Sequence, residues 1–142
     1  MAKIFDPSQF NVVIGGATMQ GFSEDTMCEF EFESESMSDV VGVDGEVSRS
    51  KNMDRRAKLT ISLMQTSDSN DILSAIYNAS RVGTNGGDIV ACRVEDTNGR
   101  LVIAGPECWI MDTPKPSYGK TAKEYQWVIR IANCDAFFGG ND

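Results

Sequence analysis

The sequence predicts a mainly β (α+β) protein with an antiparallel sheet, one helix and a long arm between two strands. Two observations support this class. Apolar and polar residues alternate in several segments, and a period of two is typical of strands with one buried face. A helical spacing of apolar residues is clear in one segment only. The chain has 142 residues, which suits one ordinary domain, so we expect a single domain over residues 1–142.

Four segments are predicted to be strands, and all but the first alternate. They are residues 11–14, 27–33, 57–63 and 124–132. In the second of these, Cys28, Phe30 and Phe32 share one face and three glutamates share the other. The third and fourth have the same arrangement, with aliphatic and aromatic side chains on one face only. We therefore expect half-buried strands with one polar face each.

Turn and break signals complete the predicted sheet. Residues 88–95 and 100–104 are predicted to pair as an antiparallel hairpin, because Asn98-Gly99 between them supplies the positive φ angles of a type I′ turn. Pro106 lacks an amide hydrogen, so we expect the strand to continue beyond it only at an edge or a bulge. Three glycine pairs are interpreted as turns or flexible positions: Gly15-Gly16, Gly86-Gly87 and Gly139-Gly140.

One helix is predicted after the third strand. Asp68 suits the N-cap position and Gly83 suits the end of the helix. Between them lies an apolar stripe at helical spacing, formed by Ile72, Leu73, Ile76 and Tyr77. Such a stripe is typical of core packing, so we expect the helix to cover one face of the sheet.

The arm, residues 34–56, has no sustained period. Residues 24–46 contain nine acids and no base, whereas residues 49–58 contain five bases and one acid. A segment of this length is either a solvated loop or an arm that reaches a neighbouring copy, where acidic and basic halves meet as complementary patches. The three valines within residues 40–43 favour the arm, because β-branched side chains gain from burial.

Charge and composition exclude several classes of function. The chain carries 21 acidic and 13 basic residues, no histidine and a formal net charge of -8. Histidine-based acid–base catalysis, Ser-His-Asp nucleophiles and His-ligated zinc are therefore excluded. The acidic balance also disfavours tight binding to the phosphate backbone of nucleic acids.

Two motifs resemble catalytic or binding sites but lack the required context. A Gly-Lys-Thr string at residues 119–121 resembles the end of a P-loop, yet the first glycine of that motif would fall at Pro114 and a strand follows instead of a helix. The three glutamates of residues 29–33 have the spacing of paired catalytic carboxylates, but they are equally solvated and are interpreted as an acidic face. We predict that the protein is not an enzyme and needs no cofactor or metal.

The four cysteines have no CxxC spacing and are predicted to be buried thiols, with cross-linking between subunits as the alternative. They are Cys28, Cys92, Cys108 and Cys134. No apolar stretch approaches the roughly 18 residues of a membrane span. The N-terminus shows no signal-peptide core. We therefore expect neither membrane insertion nor secretion.

Three strings resemble a known family: residues 5–16 (FDPSQFNVVIGG), 45–50 (GEVSRS) and 55–61 (RRAKLTI). With the order of the predicted elements, they resemble tail tube proteins of contractile-tailed bacteriophages and the wider group that includes type VI secretion tube proteins. The resemblance implies a β-sandwich or half-barrel, hexameric rings, and stacking of the rings into a hollow tube. That tube conducts DNA through an acidic, non-adhesive lumen.

The resemblance also implies partners and a location. The partners are further copies of the chain, the tail sheath protein, and baseplate and tail terminator proteins, while DNA passes without specific binding. The protein is expected in the tail tube of the virion after assembly in the host bacterial cytoplasm. Alternatives are a type VI secretion tube subunit, a small β-barrel binding module with a closed apolar cavity and, as the weakest, an enzyme.

Two sets of residues follow from the resemblance. Residues expected to face the lumen are Glu29, Glu31, Glu33, Thr60, Ser62, Glu124 and Gln126. Lys58 and Arg130 lie on the same strand faces and are expected to neutralise them in part. Arm residues expected to contact the adjoining subunit or ring, with acids meeting bases of a neighbour, are Asp39, Val41, Asp44, Glu46, Arg49, Lys51, Arg55 and Arg56.

Overall fold

The computed structural model describes residues 2–3, 6–23, 28–82, 89–97 and 99–141. Within these ranges the chain forms ten strands, one α-helix and a short 3-10 helix at Pro7–Gln9. The α-helix is α1 (Ser69–Val82). The strands are β1 (Phe10–Ile14), β2 (Ala17–Thr18), β3 (Cys28–Phe32), β4 (Met37–Val41), β5 (Val47–Lys51), β6 (Ala57–Met64), β7 (Val90–Asp96), β8 (Gly99–Asp112), β9 (Glu124–Ile131) and β10 (Asp135–Asn141).

An eight-stranded antiparallel sheet forms the body of the protein. The strand order is β2-β1-β7-β8-β9-β6-β3, and β10 pairs with β8. The long strand β8 belongs to both halves of the sheet: residues 99–104 pair with β10, and residues 108–112 pair with β9. The fold is therefore mostly β and antiparallel with one helix, as predicted. Within the described residues the sheet does not close into a barrel, which contradicts the alternative of a small β-barrel binding module with a closed cavity.

A bulge interrupts the pairing of β8 with β7 in the middle of β8. The register between β7 and β8 shifts between Cys92↔Gly105 and Val90↔Cys108. Pro106 lies within this irregularity, so its missing amide hydrogen breaks no regular ladder. A side chain at Gly105 would overlap the buried Ile131. The continuation of the strand through a bulge at this proline is confirmed.

The core lies between the apolar face of the sheet and α1. Leu73 of α1 is fully buried, whereas Ile72 is 38% exposed, so the buried stripe is narrower than predicted. Asn70 ties the helix to the sheet. Its Oδ1 accepts a hydrogen bond from Trp127 Nε1 at 3.0 Å, and its Nδ2 donates to the Met64 carbonyl oxygen at 2.9 Å. The predicted packing of the helix on the sheet is confirmed.

α1 begins at Ser69, as an N-cap at Asp68 predicts, but the capping side chain belongs to the residue before it. The Ser67 hydroxyl accepts a hydrogen bond from the Ser69 amide at 3.2 Å, so the cap comes from Ser67 and not from Asp68. Serine caps by the same mechanism as aspartate, because its side-chain oxygen satisfies an amide that has no partner within the helix. The predicted helix end at Gly83 lies outside the described residues.

The arm folds as a β-hairpin, which corrects the expectation of a segment without regular structure. Strands β4 and β5 pair with Val41 opposite Val47 and form a separate two-stranded sheet. In the turn, the Gly42 amide donates to the Glu46 carbonyl oxygen at 2.7 Å, and Gly45 adopts a φ of 87°. That backbone conformation favours glycine. Every side chain of β4 and β5 is exposed.

Besides the two strands of the arm, two further strands have no counterpart in the prediction. They are β2 and β10, and the second of these includes Gly139 and Gly140, for which the sequence indicates a turn or flexible position. A side chain at Gly139 would overlap Arg100 on β8, so glycine there permits close approach of two strands. Gly15 and Gly16 form a turn as predicted, with φ of 61° and 84°. Residues 27, 86–88 and 98, which carry parts of the predicted strands and turns, lie outside the described residues.

The cysteines are free thiols, and three of them lie in the core. Cys92, Cys108 and Cys134 are buried, whereas Cys28 is only partly buried. Burial raises the pKa of both Cys28 and Cys134 to about 11, since a thiolate is poorly solvated there. The prediction of buried thiols is confirmed for Cys92, Cys108 and Cys134.

Within the described ranges, no helix is both long and apolar enough to cross a membrane.

Candidate functional site

The outward faces of β3, β6 and β9 form one continuous polar surface. The register aligns Glu31 with Lys58 and Lys58 with Arg130, and it aligns Glu29 with Thr60. Side chains on one face of neighbouring strands are adjacent when their residues are register partners. The polar face is defined here by Glu29, Glu31, Glu33, Lys58, Thr60, Asp112, Glu124, Gln126, Val128 and Arg130.

Two ion pairs neutralise part of the polar face, as expected from the sequence. Lys58 Nζ lies 3.1 Å from Glu31 Oε1, and Arg130 Nη1 lies 2.9 Å from Glu33 Oε1. The second contact is an ion pair whose angle does not meet hydrogen-bond geometry. Its side chains are 13% and 30% exposed, less than those of the Lys58 pair. Its charges are therefore screened less by salt than those of the Lys58 pair.

Three carboxylates on the polar face have no such ion pair in the described part of the chain: Glu29, Asp112 and Glu124. Asp112 and Glu124 line a cavity of about 320 Å³ with Gln126, Val128 and the segment 113–115. Counting the paired residues, five carboxylates and two cations leave the polar face with a net charge of -3. The face is acidic, but less so than its carboxylates alone suggest.

Strand alternation places most of the residues predicted to face the lumen on the polar face. There is one exception, and one acidic residue of the polar face was not predicted. The exception is Ser62, which is only 3% exposed. The amide of Ser23 donates to the Ser62 carbonyl oxygen at 2.9 Å, so a preceding segment runs beside this part of β6. The omission is Asp112, which the sequence did not select because it follows a bulge between Ile110 and Asp112 that alters the alternation.

The polar half of the sheet ends at two edges that lack a strand partner among the described residues. At one end of the strand order, β3 pairs only with β6. At the other, β7 pairs with β8 only as far as Cys108, so residues 109–112 are hydrogen-bonded to β9 alone. Unpaired edges expose backbone donors and acceptors that another strand can satisfy.

The arm presents acidic and apolar side chains to solvent. Asp39 lies opposite Arg49 in the register of β4 and β5, so these two charges face each other within one hairpin. Asp44 and Glu46 lie in the turn, beyond both strands. The exposed apolar side chains of the arm are Met37, Val40, Val41, Val43, Val47 and Met53. Such a concentration is typical of a surface that another molecule covers.

The base of the arm is held by a network within the subunit. Asp54 accepts two hydrogen bonds from the Arg56 guanidinium at 3.0 Å each and one from the Ser34 hydroxyl at 2.9 Å. These contacts hold the pKa of Asp54 well below its usual range, and the hydrogen bonds from Arg56 have the largest effect. Arg55 donates to the Cys134 carbonyl oxygen at 2.9 and 3.1 Å and lies over the Phe32 ring. Both arginines are therefore already engaged within their own subunit.

In the described part of the chain, no group of cysteine or acidic side chains has the geometry of a metal site. The pattern is that of an assembly surface: an acidic sheet face between two open edges, and an exposed hairpin.

A family model of the bacteriophage PhiTE tail tube protein matches residues 10–139. The chain belongs to this tail tube family. The matched span includes the polar face, both open edges and the arm. Structural protein ORF10 of Pseudomonas phage KPP10 is 29% identical over 143 residues, covering 96% of this chain and 83% of that protein. The prediction of a phage tail structural protein is confirmed.

Solved structures share the fold at low sequence identity. The anti-feeding prophage tube terminating cap has a TM-score of 0.65 at 10% identity, and the alignment covers 96% of this chain and 93% of the other. A chain of the native gene transfer agent virion has a TM-score of 0.62 at 13% identity, with 95% and 100% covered. A chain of the PVC sheath-tube complex, from an extracellular contractile injection system, has 0.62 at 10% identity, with 91% and 88% covered. This tail tube family member therefore has a fold found in contractile injection systems.

Proposed function

We propose that this tail tube family protein is the subunit of a hexameric ring, and that rings stack into a tube whose lumen is lined by the polar face. The observation that supports this most is the position of that face. It carries a net charge of -3 and lies on strands that end at two open edges. A face between two pairable edges can be continued from copy to copy around a closed ring.

Ring closure follows from pairing the two edges. We assign the contact to β3 of one subunit and residues 109–112 of the next, since these are the outermost segments of the polar half of the sheet. The two edges differ in sequence, so the contact is head-to-tail and generates a ring when the rotation closes. Closure also removes the hazard of exposed edges.

The charge of the polar face suits passage of DNA without adhesion. Duplex DNA carries about one negative charge per 1.7 Å of its axis. Repetition of unpaired carboxylates such as Glu29 and Glu124 around the lumen repels that charge at every ring. Lys58 and Arg130 do not reverse the effect, because each is paired with a glutamate at about 3 Å.

The remaining partners follow from the family. The arm contacts an adjoining subunit or ring, and the outer surface of the tube meets the tail sheath, with a terminator at one end and the baseplate at the other. Fold neighbours of this chain occur in a sheath-tube complex and a tube terminating cap. The protein is then a virion component that is assembled in the host bacterial cytoplasm.

Cryo-electron microscopy of the purified protein tests the assembly. We expect six-fold rings or tubes in which Glu29, Glu31 and Glu124 face the channel. A reconstruction in which these side chains point away from the channel refutes the assignment of the lumen. A protein that stays monomeric at high concentration refutes the proposed function altogether.

A charge-reversal experiment tests the role of the lumen. A phage that carries both Glu29→Lys and Glu124→Lys is expected to assemble tails but to eject DNA more slowly. The reason is that the lumen then attracts the phosphate backbone. The matched control is Glu107→Lys, a charge reversal at an exposed residue of the β8 bulge, outside the polar face. Equal ejection rates in both mutant phages contradict the proposed electrostatic role.

A further inference from the structure

A basic loop lies beside the polar face, and its Lys115 lines the same cavity as Asp112 and Glu124 of that face. We define the lysine loop as residues 113–123, which connect β8 to β9 and carry three lysines and no acid. The lysines are Lys115, Lys120 and Lys123, and all three are exposed. Within the described part of the chain, none of them forms an ion pair. In a protein with a net charge of -8, this is a local reversal of sign.

The lysine loop is held in place by the strands beside it. The Gln65 amide donates to the Lys123 carbonyl oxygen at 3.0 Å, and Gln65 Oε1 accepts from the Lys123 amide at 3.1 Å. The Tyr118 and Tyr125 hydroxyl oxygens lie 3.1 Å apart and share a hydrogen bond. The loop therefore presents its lysines from a fixed position next to the ends of β6 and β9.

The lysine loop and the arm lie at opposite ends of the same strands. The arm joins the end of β3 to the start of β6, where Phe32 is paired with Ala57. The lysine loop precedes β9, whose first residue Glu124 is paired with Met64 at the other end of β6. When identical rings stack head-to-tail, the arm end of one ring meets the lysine-loop end of the next.

The two ends carry complementary charge. We define the arm tip as residues 39–46, which contain three acids (Asp39, Asp44 and Glu46) and no base. We propose that the arm tip of one subunit binds the lysine loop of a subunit in the adjacent ring. This inference rests on the proposed function, because it concerns how the proposed rings stack. It names the basic partner of the arm as the lysine loop of another copy.

The reach of the arm is sufficient for such a contact. Nine residues separate Ser34 from Val43 at the turn, and at roughly 3.3 Å per residue an extended arm spans about 30 Å. The eight residues of β6 span about 26 Å on the same basis. An arm that leaves the end of the sheet can therefore extend past the boundary between two stacked rings.

The lysine loop is a better partner for the arm tip than Arg55 or Arg56, two of the basic residues expected from the sequence. Arg56 is already bonded to Asp54, and Arg55 to the Cys134 carbonyl oxygen. Recruiting these groups would break or share existing contacts, whereas the lysines of the loop have no ion pair to lose.

Charge reversal on each side tests the pairing. The loop variant is Lys115→Glu with Lys120→Glu, and the arm variant is Asp39→Lys with Glu46→Lys; both leave the backbone contacts of Gln65 and of the arm turn in place. We expect each variant to form rings, but mean tube length in negative-stain images to fall at least tenfold. The combined four-residue variant, in which opposite charges meet again, is expected to recover tubes. The matched control for the loop variant is Lys3→Glu with Arg81→Glu. It makes the same change of net charge at exposed residues elsewhere.

The outcomes separate the pairing from the proposed function. Tubes of normal length from the loop variant, or a combined variant that makes rings but no tubes, overturn the pairing and leave the ring intact. An equal loss of tubes in the control also overturns it, because net charge then explains the effect. A wild-type protein that forms no rings overturns the proposed function itself, and the pairing with it.

Discussion

Replacement of Gly105 by alanine tests whether the bulge in β8 depends on close packing against β9. The added methyl group would overlap Ile131 Cγ2 and would contact Cys108 Sγ at 3.4 Å. Ile131 and Cys108 are both fully buried, so neither can move aside into solvent. Overpacking of this kind costs about 1–3 kcal/mol, and we expect the free energy of unfolding of Gly105→Ala to fall by that amount.

The measurement is urea unfolding at low protein concentration, followed by tryptophan fluorescence, so that assembly does not add to the apparent stability. Gly119→Ala is the matched control, because a methyl group there meets nothing within 4 Å. Its backbone φ is not in the left-handed region, so alanine should change stability by less than about 1 kcal/mol, and in the stabilising direction.

A double-mutant cycle identifies the cause of the loss. Ile131→Ala removes the methyl group that the new side chain of Gly105→Ala would strike, at a cost of about 2–5 kcal/mol on its own. If the clash is the cause, the double variant is less destabilised than the sum of the single variants, by about 1 kcal/mol or more. Two results would show that the bulge does not depend on this contact. One is additivity of the two costs, and the other is a Gly105→Ala variant as stable as the Gly119→Ala control.

Three further predictions concern the core, the arm and the thiols. Asn70→Ala leaves the buried Trp127 Nε1 without its acceptor and should lower the free energy of unfolding by about 1–3 kcal/mol, measured by urea unfolding; an unchanged midpoint contradicts this. The pKa of Asp54 is lowered by its contacts at the arm base. The ionised carboxylate therefore helps to order the arm base at pH values above the usual carboxyl pKa, and this contribution is lost as the pH falls through the lowered pKa. Pepsin cleavage within the arm should accordingly accelerate toward the lowest pH that the fold survives, relative to cleavage elsewhere, and Asp54→Asn should abolish that dependence. In the native protein, an aromatic disulfide reagent at pH 8 should modify Cys28 slowly and the three buried thiols only on unfolding; rapid modification of all four contradicts the burial.

The sequence could predict the strands that have one fully buried face. In β6, Leu59, Ile61 and Leu63 are fully buried while Lys58 and Thr60 are only partly so. This contrast in burial produces the alternation of apolar and polar residues from which a strand is predicted. The same contrast placed the polar face of β3 and β9 correctly, because each register partner in β6 was also alternating. The polar face was thus accessible from sequence as far as regular alternation extends.

The arm and β10 could not be predicted by the same means. Both faces of β4 and β5 are exposed, so no apolar period marks them, and their pairing depends on backbone hydrogen bonds and the turn at Gly45. In β10, Phe137 and Phe138 are adjacent and both exposed, which also removes the period. The glycine pair that follows indicated flexibility, whereas it permits contact with Arg100. Sequence patterns record burial, and these strands bury little within one subunit.

The charges of the polar face are distributed unevenly along its strands, and this bears on how the proposed tube repels DNA. The ion pairs of Lys58 and Arg130 both lie toward the end of the sheet from which the arm leaves. Of the carboxylates without an ion pair, Glu29 and Asp112 lie level with Thr60 in the middle of β6, and Glu124 lies at the end that carries the lysine loop. In the proposed tube, each ring would contribute one nearly neutral band and one acidic band to the lumen. Stacking would repeat these bands, so DNA would meet a periodic repulsion at the height of each ring.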